Sequence, residues 1–170
     1  MRITERSFFT IPVLELAENL LGKIIVRKFE TGGMKRFQIT EVEVYGANDS
    51  ACHAYRGKTN RNAPMFEEGG ILYVYLCYGI FDIANIVSGK AGSPEGVMIR
   101  GIDNIEGPGR SSRAMEITRE HNREDLTVSD KIWIENDGFM PTNIERLKRV
   151  GISYATQEDQ DKLWRFKLIN

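Results

Sequence analysis

Cysteine, histidine and net charge are all scarce in this chain. Its 170 residues include only two cysteines, Cys52 and Cys77, and two histidines, His53 and His121. Two cysteines are too few for a disulfide framework and no CxxC pair occurs, so a reducing compartment fits the sequence. No cysteine–histidine spacing suits a zinc-ligand set, and neither a metal nor any other cofactor is expected. Lys plus Arg number 23 against 24 Asp plus Glu, a formal net charge of −1. That excludes a globally basic nucleic-acid binder; contact with nucleic acid must use a local patch on a nearly neutral body. The longest apolar run, Ile71–Phe81, falls short of the roughly 18 residues of a membrane span and stops at Asp82. Glu5 and Glu15 stand among the early apolar residues, where a signal peptide would have an unbroken apolar core. The expectation is a soluble, intracellular protein with no membrane partner. Phosphate-loop and dinucleotide fingerprints are missing too, since the Gly107-Pro108-Gly109 turn fits neither.

What the chain does have is enough apolar residue for one core, 41% of the total, in a length that suits a single domain over residues 1–170. Pro12 followed by Val13, Leu16, Ala17, Leu20 and Leu21, with Gly22 just beyond, reads as an amphipathic helix. Lys23–Phe29 and Lys35–Tyr45 flank a Thr31-Gly32-Gly33 turn and read as a hairpin. Polar loop residues fill Gly46–Gly70. Ile71–Val87 reads as two strands joined at Tyr78–Phe81, and Gly96–Ile102 as a further apolar run. Gly107-Pro108-Gly109 opens a helix carrying Ala114, Met115 and Ile117, and Lys131–Glu135 is a short strand. The remainder alternates turns and short elements, with Val150, Ile152, Trp164 and Phe166 as core candidates. Strands joined by hairpins predict an α+β fold with an antiparallel sheet.

Three groups of residues could carry chemistry. Strand alternation puts Phe37, Ile39, Glu41, Glu43 and Tyr45 on one face, and Val42 and Val44 on the other. Two glutamates on so apolar a strand point to a carboxylate in a pocket, with a raised pKa suited to a general base. An edge strand with two solvated glutamates is the bland alternative. In Leu72-Tyr73-Val74-Tyr75-Leu76-Cys77-Tyr78-Gly79, symmetry about Ile80 would set Tyr75 opposite Asn85 and Tyr78 at the tip. A tip aromatic has no core to fill and could act as a wedge or stacking face for a base, although β-propensity alone also explains such tyrosines. His53, Arg56, Lys58 and Arg61, interleaved with Gly57, Asn60 and Asn62, form a loop able to contact phosphates or merely to face water.

The order of these signals is more specific than any one of them. Ile39-Thr40-Glu41-Val42-Glu43-Val44-Tyr45 is followed by Asp49-Ser50-Ala51-Cys52-His53-Ala54 and then by Arg56-Gly57-Lys58-Thr59-Asn60-Arg61-Asn62. Met65-Phe66, Leu72-Tyr73-Val74-Tyr75, Tyr78-Gly79, Asn85 and Met98-Ile99-Arg100 come next. This series resembles the alkyladenine (3-methyladenine) DNA glycosylase family. The likeness starts at Leu20-Leu21-Gly22-Lys23 and resumes at Asn122–Leu126, Val150-Gly151-Ile152 and Trp164-Arg165-Phe166.

The resemblance implies one glycosylase domain built on a curved, mostly antiparallel sheet, a roll or open barrel flanked by helices, with a protruding hairpin. It implies excision of damaged purines such as 3-methyladenine, 7-methylguanine or hypoxanthine from duplex DNA. The protein would act as a monomer in the cytoplasm, on the nucleoid in a prokaryote or in the nucleus of a eukaryote. Glu43 matches the water-activating glutamate and Arg100 the arginine that helps to hold the water. Tyr45, His53, Tyr75, Asn85 and Met98 match base-pocket positions, and Tyr78 the intercalating tyrosine. Arg56, Lys58, Arg61 and Arg110 are the candidates for the DNA backbone. A lesion-binding protein without catalysis, and a glycan hydrolase pairing Glu41 with Glu43, are the competing readings. The second is opposed by geometry, since neighbours on one strand face cannot flank a bond from opposite sides. Two departures stand out. Only Gly101–Glu106 separates Arg100 from the Gly107-Pro108-Gly109 turn, where many relatives carry a helical insertion, and Arg110-Ser111-Ser112 replaces the usual lysine-leucine pair.

Overall fold

The computed structural model describes residues 1–169. Among these residues three α-helices, α1 (Val13–Leu20), α2 (Pro108–Ala114) and α3 (Gln157–Asp161), accompany nine strands. The strands are β1 (Ile24–Lys28), β2 (Met34–Tyr45), β3 (Leu72–Cys77), β4 (Phe81–Val87), β5 (Gly96–Ile102), β6 (Ile105–Glu106), β7 (Ile132–Glu135), β8 (Ile144–Leu147) and β9 (Arg165–Leu168). All pairings are antiparallel, in the order β3-β4-β5-β2-β1-β7, with β6 added to β5 and β8-β9 to β2. The sheet curls into a half-barrel, and the class is α+β. None of the described helices is long and apolar enough to cross a membrane.

The early helix and hairpin form where the sequence pattern puts them. Helix α1 buries Val13, Leu16, Ala17 and Leu20, and β1 pairs with the first half of β2 from Ile24↔Gln38 to Lys28↔Met34. The second half of β2 pairs with β5 on one side and β9 on the other. One strand of 12 residues therefore carries the middle of the sheet.

The face assignment along β2 needs correction. Phe37 and Ile39 lie in the main core with Val42 and Val44, whereas Glu41, Glu43 and Tyr45 do not. Strict alternation cannot produce that pattern. The ladder runs Ile39↔Ile102, Glu41↔Gly101, Val42↔Ile99, so Thr40 and Arg100 drop out of register. This bulge reverses which parity faces the core, and both glutamates swing to the far side of the sheet. Gly101 permits it, because a Cβ there would sit 2.9 Å from Glu41 Cβ and 3.1 Å from Thr40 Oγ1. Gly101→Ala should accordingly destabilise the fold by about 1–3 kcal/mol, read from denaturant midpoints. An unchanged midpoint would mean that the bulge relaxes freely.

The second hairpin also differs from expectation. Its centre is Gly79 rather than Ile80, with Cys77↔Phe81, Tyr75↔Ile83 and Tyr73↔Asn85 as opposed pairs. Tyr78 and Gly79 both take positive φ, 51° and 67°, and Ile80 N–H closes on the Cys77 carbonyl at 3.1 Å. The turn is centred one residue earlier than expected, which places Tyr73, not Tyr75, opposite Asn85. Helix α2 ends at Ala114, so Ile117 follows it, after a left-handed Glu116, yet is still buried. Ile152, Trp164 and Phe166 join the cores, but Val150 is exposed.

Candidate active site

The far side of the bulged strand forms the floor of a cleft of about 780 Å³. Its lining includes Glu43, Tyr45, His53, Arg56, Tyr75, Tyr78, Met98 and Arg100. Residues spread over more than fifty positions of sequence thus meet around one cavity, because β3, β4, β5 and β2 are sheet neighbours.

At the floor, the Glu43 side chain has no exposed surface. Its Oε1 accepts from the Val150 N–H at 3.0 Å and lies 3.4 Å from Arg100 Nη1. Its Oε2 accepts from the Tyr45 hydroxyl at 3.0 Å. Burial pushes the Glu43 pKa up, and Arg100, the Val150 N–H and the Tyr45 hydroxyl pull it part of the way back. A carboxylate so placed is a stronger base than one in water and still meets the donors that an ionised form needs. Tyr45 is held protonated by burial and by the Glu43 charge beside it.

Aromatic rings build the wall. His53 meets Tyr75 edge-on with ring centroids 4.2 Å apart, and Tyr75 lies 5.5 Å from Tyr73. His53 Nδ1 is 3.3 Å from the Tyr73 hydroxyl. Desolvation against the cleft wall and the nearby Arg61 hold the His53 pKa below its usual value, which favours the neutral ring. Burial raises the Tyr73 phenol to about 12 and Tyr75 further still, so both are neutral as well. Asn85 is buried beside a recess of about 30 Å³ shared with Tyr45, His53, Tyr73, Tyr75 and Tyr154. Its Nδ2 donates to the Tyr73 carbonyl at 3.2 Å and to the Ile83 carbonyl at 3.4 Å. Met98, opposite both Glu43 and Asn85 in the sheet, closes the floor. Tyr78 stands at the rim, 85% exposed, with Ile80 beside it at 66%.

The basic residues are less concentrated. Arg56 lines the cleft, but Lys58 lies over the Phe66 ring. Arg61 caps the Leu76 carbonyl at 2.8 Å and lines a separate groove with Arg119. Arg110 is exposed on α2, next to the Pro108 that touches the cleft. Among the described residues no group of three or more His, Cys, Asp or Glu side chains is arranged to hold a metal ion.

The family model for methylpurine-DNA glycosylase (MPG) matches residues 7–107 and 102–170 of this chain. The chain belongs to that family. Relatives that carry the name "Putative 3-methyladenine DNA glycosylase" align along almost the entire chain. One from Methanocella arvoryzae is 38% identical over 98% of this chain and 92% of its own length. One from Chlorobium phaeobacteroides is 42% identical over 94% and 88% respectively, and one from Wolbachia pipientis is 41% identical over 97% and 91%. The protein is a DNA glycosylase, and DNA is its substrate.

Several glycosylase-cleft residues escape a reading of spacing alone. Tyr154 lines both the cleft and the recess and donates to the Ala51 carbonyl at 2.8 Å. Arg149 lies behind Tyr45, with its guanidinium 5.1 Å from that ring and 5.2 Å from Trp164. It forms a fully buried pair with Asp49. Val150 contributes only a backbone N–H. No local signal marks these roles, since each residue acts on one about a hundred positions earlier.

Proposed function

We propose that this DNA glycosylase hydrolyses the N-glycosidic bond of alkylated purines that have been flipped out of duplex DNA, with a water activated by Glu43. The observation that carries this reading is the buried Glu43 carboxylate, gripped by Arg100, Val150 and Tyr45 on the floor of an aromatic cleft.

A stacked base hides its glycosidic bond, so the nucleotide must leave the helix at a cost of a few kcal/mol. Tyr78 is the wedge that fills the gap and offsets part of that cost. A purine alkylated at N3 or N7 carries positive charge. Neutral phenol faces at Tyr45 and Tyr75 attract it by about 0.5–2 kcal/mol through cation–π contact. Asn85 narrows the recess behind them and selects among purine edges. The charged base is already a good leaving group. What the chain must add is a water at C1′ and negative charge beside the sugar cation that develops there. Glu43 takes the proton of that water and Arg100 orients it. No lysine lines the cleft to form a Schiff base with C1′, which fits hydrolysis without strand cleavage.

The test is single-turnover incubation with duplex DNA treated with a methylating agent. Free methylated purine should appear, leaving abasic strands that break only on later treatment with alkali. Retained binding without base release would make this a lesion-binding protein. Salt dependence is a second check. With a formal charge of −1 and four candidate backbone cations, the log–log slope of affinity against salt should reach at most about −3.6, at about −0.9 per phosphate neutralised. A slope near −10 would require a larger basic footprint than the surface offers.

A further inference from the structure

The ion pairs around Glu43 extend beyond the residues that the proposed reaction uses. Arg165 Nη1 donates to Glu41 Oε1 at 2.9 Å, and Arg100 Nε lies 3.2 Å from that same oxygen. Arg100 Nη1 then lies 3.4 Å from Glu43 Oε1. Arg165 is itself anchored, its Nε donating to the Lys148 carbonyl at 2.8 Å. The result is one chain of alternating sign, from Arg165 on β9 through Glu41 on β2 and Arg100 on β5 to Glu43. Both carboxylates are at least 95% buried.

Resting on the hydrolytic reading of Glu43, we propose that Glu41 and Arg165 are positioning residues for that reaction. Through Arg100 they set the net charge in which Glu43 works. Two guanidiniums and two carboxylates sum to zero. That balance matters because the transition state places positive charge on the sugar, and an arginine without a second counter-charge would repel it. Glu41 occupies Arg100 Nε and offsets its charge, while Nη1 stays on the Glu43 side. A simple strap between β2 and β9 would need only the Arg165–Glu41 bond. The second guanidinium on the same Glu41 oxygen is what links the strap to the cleft.

The charged and titratable groups facing Glu43 are Arg100 from β5, Arg165 from β9, Arg149 from the segment after β8, Tyr75 from β3 and Tyr45 on its own strand. Of the four-residue chain, Glu41 and Arg165 alone do not line the cleft. They can therefore be altered without removing a group that faces the nucleotide.

The experiment is single-turnover base release from dimethyl-sulfate-treated duplex DNA, followed over about pH 5 to 9, with Glu41→Gln, Arg165→Gln and the double variant. Cationic methylpurines need no proton to leave, so the acid limb reports the enzyme. Glu41→Gln leaves a net positive group. Its acid limb should move to lower pH as Glu43 becomes a weaker base, and its plateau should fall about 10–100-fold. Arg165→Gln leaves a net negative group, and its acid limb should move to higher pH. The double variant should return the limb towards wild type. A purely structural strap would lower thermal stability in both without opposed shifts, so limbs that stay put or move together in folded variants overturn the inference. His53 is a second titratable group lining the cleft, and a His53→Gln background should leave the opposed shifts intact. If a Gln variant fails to fold, Glu41→Asp and Arg165→Lys keep each charge but shorten its reach. A lower plateau at an unchanged melting temperature then supports the inference, and an unchanged plateau overturns it. Full activity in Glu43→Gln would remove the hydrolytic reading itself, whereas an inactive Glu43→Gln with unmoved limbs removes the positioning inference alone.

Discussion

Glu43→Gln should lose about 10²–10⁴-fold in single-turnover base release while binding lesion-bearing DNA as the wild type does. Gln fits the same space. Its carbonyl can keep the Val150 N–H, and its amide can donate to Tyr45 once that hydroxyl reverses. What disappears is the ability to take a proton from water and the negative charge beside the developing sugar cation. The same substitution should not weaken the fold at neutral pH. Burial holds the folded-state pKa of Glu43 above its unfolded value, so above that pKa the ionised carboxylate costs stability, and the cost disappears as pH falls through it. The variant should therefore melt at or above the wild-type temperature at pH 7, with the gap closing towards acid pH. Loss of activity with a gain in stability is the pattern of a residue retained for function against the interest of the fold. A variant that is both inactive and much less stable would instead mark Glu43 as a structural residue.

The largest loss of stability should come from the pair behind Tyr45. Asp49 and Arg149 have no exposed side-chain surface. Arg149 also donates to the Val44 carbonyl at 2.9 Å and the Asp159 carbonyl at 3.0 Å, and Asp49 accepts from the Ala51 N–H at 3.0 Å. Asp49→Asn keeps the shape but leaves a buried guanidinium without its counter-charge, at a cost of about 3–5 kcal/mol. For a chain of this size that corresponds to a fall in Tm of roughly 6–20 °C. Replacing both members with apolar residues should restore part of the loss, because the surviving charge goes too. Activity should fall with Asp49→Asn as well, since Arg149 sets the plane against which Tyr45 rests. A melting temperature within about 2 °C of wild type would show that water or local rearrangement solvates Arg149.

The parts of the site legible in the sequence are those written at short range. Glu43 and Tyr45 share a face because they lie two positions apart on a regular stretch of strand, and Tyr78 stands at a tip because two strand-like runs enclose it. Helix α1 and the first hairpin follow from apolar spacing, a proline, and a Thr-Gly-Gly turn. Long-range choices are not legible. Alternation alone sets Phe37 and Ile39 on the glutamate face because nothing local reports the bulge, which depends on Gly101 in a strand whose partner spacing cannot reveal. Hairpin symmetry misplaces the partner of Asn85 by two residues because the turn is centred on Gly79, with Tyr78, a non-glycine residue, also at positive φ. Asp49 and Arg149 are a hundred positions apart, and each alone looks like an ordinary surface charge. Val150 reads as core, yet its side chain is exposed and its backbone N–H meets Glu43.

A crystal structure of Glu43→Gln bound to a duplex carrying one methylated purine tests the central claim most directly. The damaged base should lie between Tyr45 and the His53–Tyr75 wall, with Tyr78 in the vacated stack. A water held by Arg100 and the substituted side chain should stand about 3–3.5 Å from C1′, on the face opposite the base. A nucleotide still stacked in the helix, or a C1′ on the far side of the cleft from that side chain, would contradict the account.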